Sequence, residues 1–252
     1  MRTIKLFGLL FVGFIANAQT EKNIDHQSLL WTRYYNQLAI NNKWAIHTEF
    51  DNRIFINPVK QNLFVFRVQG RYKISENVEV GAGYAYFSVA TQNPDVIYNF
   101  NTPEHRAIQD ISWKHDLSNR IVLSNRFQVE ERFIQNYDKD GLFIGSTFNW
   151  RFRYRLQGDY LCWEKENQYL KAIVYDELMI NAGENIIKNT FDQNRIYAGF
   201  QYGVNKNIAL ELGYLKSFQQ RASGVDYYDR DIIRFTFYHK IRLKQKQPEL
   251  TN

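Results

Sequence analysis

A single cysteine, Cys162, excludes an internal disulfide. With only five scattered histidines beside it, no metal-ligand cluster can be assembled without carboxylates, so neither a metal nor another cofactor is expected. Beyond the N-terminal segment there is no run of about twenty apolar residues, which excludes helical membrane spans. A strong charge bias is missing too: 32 Lys and Arg stand against 26 Asp and Glu. The arginines alternate with other residues instead of forming a basic run, so nucleic acid is not an expected partner.

What is present begins with Arg2 and Lys5, an apolar run from Leu6 to Ile15, and Ala16-Asn17-Ala18-Gln19. These are the three parts of a secretory signal peptide, too short to span a bilayer, with cleavage expected between Ala18 and Gln19. Losing Arg2 and Lys5 leaves 30 bases against 26 acids. Aromatic content is high at 16%, with 17 Tyr and 19 Phe, yet the mean hydropathy is −0.49. A barrel that gives every second residue to a polar interior combines both properties.

The segment Thr147 to Leu156 makes the pattern explicit. Phe148, Trp150, Phe152, Tyr154 and Leu156 alternate with Asn149, Arg151, Arg153, Arg155 and Gln157. A helix would scatter these round its circumference, whereas a strand puts the aromatics on one face and the arginines on the other. The same alternation recurs in segments beginning near residues 29, 44, 63, 78, 104, 121, 169, 195, 208 and 232. Tyr169 to Asn181 is the least regular, because Ile173 falls on the polar side and Asp176 on the apolar side.

Strand lengths match the nine to eleven or so residues that a tilted strand needs to cross a bilayer. Tight turns near residues 42, 76, 119, 165 and 206 alternate with longer connections, the rhythm of periplasmic turns and surface loops. The expected fold is an all-β, antiparallel up-and-down transmembrane barrel of about 10–12 strands. Eleven segments are found where an even number is usual: ten remain if the first is not a wall strand, twelve if one is hidden. The expected organisation is a signal peptide over 1–18, a flexible lead-in over 19–27, the barrel over 28–243 and a polar tail over 244–252.

Several short patterns resemble, in order, an uncharacterised family of outer-membrane barrels from Bacteroidota, DUF2490. They are Glu49 to Arg53, Arg71-Tyr72, Gly83-Tyr84, Glu104 to Arg106, Arg126 to Glu130, Arg151 to Arg155, Asp176-Glu177, Asn194-Arg195 and Gly213-Tyr214. The resemblance covers most of the mature chain. It implies an outer-membrane barrel in contact with lipid, and carries no activity or catalytic residues.

The inward faces supply the candidate site, a lumen charge network of Arg53, Arg67, Arg71, Arg126, Glu130, Arg151, Arg153, Arg155, Glu177, Arg195 and Arg234. Counted over all strands, including Lys73, Lys114, Lys240 and Arg242, sixteen bases face eight acids. Three functions are compatible with this pattern. In the first, Arg–carboxylate pairs largely fill a narrow barrel. In the second, the positive excess makes the lumen an anion-selective channel or a binder of small anions. The third is an outer-membrane hydrolase built on His105 beside Glu104, or on His239, although no serine carries a nucleophile motif. The sequence leaves the oligomeric state open.

Overall fold

The computed structural model describes residues 22–95, 100–138, 140–184, 186, 190–221 and 223–243. The expected cleavage site at Ala18 and Gln19, and the tail from 244, lie outside the described residues. Eleven strands follow in order: β1 (Ile24–Ala39), β2 (Trp44–Phe55), β3 (Lys60–Lys73), β4 (Val78–Val89), β5 (Thr102–Asp116), β6 (Ile121–Tyr137), β7 (Phe143–Lys165), β8 (Gln168–Ala182), β9 (Phe191–Gly203), β10 (Ile208–Gln220) and β11 (Tyr227–Arg242). Each pairs with the next, and β1 meets β11 to close the barrel.

The parity question resolves at that seam. Ten antiparallel hairpin pairings of an eleven-strand chain leave its first and last strands running the same way, so β1 and β11 pair in parallel, from Ile24↔Tyr227 to Ala39↔Arg242. The first segment is therefore a wall strand that starts at the long-loop end, and the barrel is antiparallel except at one pair. This pairing also corrects the boundary of the expected lead-in: residues 24–27 find partners on β11 and belong to β1. The loops are likewise shorter than their composition suggests, because polar residues at the loop ends of β6, β7 and β10 still lie in the ladder.

The shortest strands, β2 and β4, have 12 residues. At about 3.4 Å per residue and a tilt near 40°, such a strand rises roughly 30 Å, the thickness of a bilayer's hydrocarbon layer. The wall turns many of its aromatics outward, as in the in-register row of Phe200, Leu212 and Phe235, all exposed. Polar side chains on this outer face bond to each other. Tyr154 Oη donates to Asn125 at 2.6 Å, Asn194 to Asp176 at 2.6 Å, and Gln109 to Glu131 at 3.2 Å. The irregular β8 is thereby explained: Asp176 is held by Asn194, while Ile173 turns inward to pack with Leu29, Trp31, Phe55, Tyr175, Tyr197, Leu215 and Ile232.

Glycines on the inner face let long side chains lie across the wall. Gly81 stands between Arg71 and Asp110 in the sheet register, and the Arg71 guanidinium passes over it to reach Asp110 at 2.6 Å. A Cβ at Gly81 would strike that guanidinium. Gly81→Val is expected to break this crossing and cost about 1–3 kcal/mol, seen as a lower unfolding midpoint in detergent. An unchanged midpoint would show that the crossing contributes nothing.

Candidate functional site

The lumen holds the charges that the alternation directed inward. Arg67 meets Glu49 at 2.6 Å, and Arg33 approaches the same carboxylate at 3.8 Å. Arg53 pairs with Asp51 at 2.7 Å and lies 3.7 Å from the Trp31 ring centre. Arg71 bridges Glu79 at 2.8 Å and Asp110 at 2.6 Å. Arg234 donates to Glu211 at 2.6 Å and to the Tyr175 hydroxyl at 2.7 Å, and it lies 4.0 Å from the Tyr197 ring centre.

One ladder runs continuously across β5 to β9. Glu104 accepts Arg132 at 2.6 Å and Arg106 at 2.8 Å. Arg106 continues to Glu130 at 2.7 Å, Glu130 to Arg153 at 2.6 Å, and Arg153 to Glu177 at 2.9 Å. Glu177 is fully buried and also receives Arg126 at 2.7 Å and Arg155 at 3.3 Å, with Arg195 at 4.0 Å. In this ladder six guanidinium groups share three carboxylates. Arg151 stands apart on Asp192 at 2.9 Å. All eleven residues expected in the lumen network thus take part in inward ion pairs.

Four other expected members do not. Lys73, Lys114, Lys240 and Arg242 lie exposed at the turn-end rim, because each falls at the last turns of its strand where the wall ends. Arg33 and Arg230 were not anticipated. Arg230 is in phase with Arg234, and extending the alternation of β11 toward the loop reaches it; Arg33 lies inside the first segment, where polar and apolar residues mix on both faces and alternation marks neither as inward. Asp192 gave no such signal, since a register shift between Met179 and Ile180 brings two successive residues of β9, Asp192 and Gln193, into the interior.

Glu104 and His105, considered as an acid–base pair, face opposite sides of the wall. Glu104 enters the ladder, whereas His105 lies outside against the Tyr84 hydroxyl at 2.6 Å. His239 is bound from outside by the Tyr34 hydroxyl at 3.0 Å. Among the described residues no group of three His, Cys, Asp or Glu is placed to hold a metal.

A cavity of about 450 Å³ occupies the lumen. Thirteen arginines and four acids, Glu49, Asp51, Glu79 and Glu104, line it. Asp110, Glu130, Glu177, Asp192 and Glu211 lie behind the guanidinium groups, so the surface presented to the cavity is far more positive than the lumen as a whole. The loop following β4 reaches over the cavity mouth. Arg230 donates to the Gln92 side chain at 2.9 Å and Gln27 to the Gln92 carbonyl at 3.0 Å, fastening that loop to the β1–β11 seam.

The chain matches, over residues 29–229, a family described as protein of unknown function (DUF2490). Curated proteins give no match. Among solved structures it is similar to the NanC porin in a rhombohedral crystal form, at 13% identity and a TM-score of 0.43, covering 77% of this chain and 84% of that one.

Proposed function

The chain belongs to the DUF2490 family, whose description assigns no activity, and we propose from the physics of its wall and lumen that it is an outer-membrane barrel holding small anions. The short turns face the periplasm and the long loops the exterior. An outer surface bearing Phe200, Leu212, Phe235 and their neighbours is too apolar for water, and an aromatic pair such as Trp44 and Tyr72, with ring centres 4.7 Å apart near the turn end, suits a membrane interface. Lateral bonding of the few outward polar groups serves the same setting, since lipid offers them no partner.

The observation that carries the anion reading is that thirteen arginines line the cavity while nine carboxylates pair with them, five of these set behind the guanidinium groups. In a lumen walled by low-dielectric protein, that imbalance raises the local concentration of anions and repels cations. Side chains and the Gln92 loop leave no porin-sized opening in this reading, so passage is narrow and binding dominates. Reconstituted in a planar bilayer under a salt gradient, the protein should give small conductance steps whose reversal potential reports anion preference. Cation preference would refute the reading.

The Gln92 loop gives a separate expectation. Arg230→Ala removes four hydrogen bonds, to the Gln27, Gln219 and Gln92 side chains and to the Gln92 carbonyl, and should loosen the mouth. Single-channel conductance should rise while selectivity for anions stays. An unaltered conductance would mean that the loop does not limit passage.

A further inference from the structure

Four guanidinium groups converge on the single carboxylate of Glu177, at distances from 2.7 to 4.0 Å. Arg153 shares its charge with Glu130, but Arg126, Arg155 and Arg195 have no second carboxylate within ion-pair distance among the described residues. Glu177 already accepts Arg126 on one oxygen and both Arg153 and Arg155 on the other, so of the roughly four lone-pair sites of a carboxylate little is left for the donors around it. Donors do remain: Nε of Arg126, Arg153, Arg155 and Arg195 is buried with no hydrogen-bond partner among the described residues. Four like charges this close repel strongly in a protein interior unless further negative charge is supplied.

A second observation lies beside them. Trp31, only 5% exposed, lines the same cavity with its indole N–H unpartnered among the described residues, and the Arg195 guanidinium sits 5.2 Å from its ring centre. An indole N–H can only donate, so it adds to the donor excess.

We propose that Arg126, Arg153, Arg155 and Arg195, backed by Glu177 and flanked by Trp31, form a specific site for a divalent oxyanion of the phosphate or sulfate type. This rests on the reading of the lumen as an anion-holding space, and gives that space a location and a ligand chemistry. Six arginines share three glutamates in the ladder, so three positive charges are uncompensated, more than one monovalent ion neutralises. Guanidinium forks favour oxygen acceptors with directed lone pairs over a spherical halide. Glu177 acts as a tethered anion that keeps the four arginines gathered while the site awaits its ligand.

Titration calorimetry on the full chain in detergent, with sodium sulfate and inorganic phosphate against sodium chloride at matched ionic strength, should reveal saturable binding of the oxyanions alone. Arg195→Gln and, independently, Arg155→Gln should each weaken it about tenfold or more, while Lys240→Gln at the exposed rim should leave it unchanged. A readout that needs no variant is the wild-type unfolding temperature, which should climb and level off at about millimolar sulfate, below the range where excluded sulfate stabilises any fold, and not with chloride. Sulfate binding that survives both arginine substitutions would overturn this location and leave the anion-holding lumen standing. Absence of saturable binding or stabilisation by any anion would overturn the site, and cation preference in the bilayer would overturn the lumen reading with it.

Discussion

Glu177→Gln is expected to be the most damaging single exchange in the lumen, lowering stability by about 3–5 kcal/mol. Glutamine keeps the shape but removes the charge and turns one accepting oxygen into an NH2 donor, leaving Arg126, Arg153, Arg155 and Arg195 facing each other without their shared carboxylate. The charge is fully buried, so solvent cannot take its place. Glu79→Gln is the contrasting exchange. That carboxylate is 24% exposed, and its partner Arg71 retains Asp110, so the loss should be below about 1 kcal/mol. Thermal unfolding followed by circular dichroism in detergent would separate the two, with a fall of about 10 °C expected for the first exchange. Similar midpoints for both variants would show that Glu177 organises nothing. Added sulfate should restore part of the loss in Glu177→Gln, because an external anion can stand where the carboxylate was.

On the opposite face, Leu212→Arg should prevent most of the chain from assembling as a membrane barrel. Leu212 is 58% exposed and lies in register with Phe200 on one side and Phe235 on the other, in the middle of an apolar row. An arginine on the lipid face near the bilayer midplane costs about 2–4 kcal/mol, whereas the same change on a water-facing surface stays within roughly 0.5 kcal/mol. Leu212→Phe keeps the surface apolar and should assemble normally. The measurement is the yield of folded barrel in phospholipid vesicles, read by the gel-mobility difference between unheated and boiled samples. Equal yields for wild type and Leu212→Arg, with both chains soluble in the absence of detergent, would place this face in water and end the membrane reading.

The two experiments probe the two faces of one ribbon, and those faces were legible from the chain. The eleven segments that period-two alternation picks out all lie within strands, although alternation left open whether the first belonged to the wall, and the eleven residues singled out for the lumen do point inward. Boundaries were less legible at the loop ends. There the strands continue through residues such as Gln135 and Gln220 that composition assigns to loops, and what keeps them in the ladder is a partner across the sheet.

Alternation is a property of the extended backbone itself: successive side chains point to opposite sides whatever the strand later pairs with, so the sequence alone determined the two faces of each segment and the all-β class, and left the strand number between ten and twelve. Register, closure and charge partnership depend on residues far apart in the chain, and only the tertiary structure decided them. It brought β11 alongside β1 in parallel, turned Asp192 inward through a register shift, and carried Arg71 over Gly81 to Asp110. It also gathered Arg126, Arg153, Arg155 and Arg195 from three strands onto Glu177 of a fourth. A guanidinium can reach any carboxylate within a few ångströms, and which one lies there is fixed by the geometry of the closed wall.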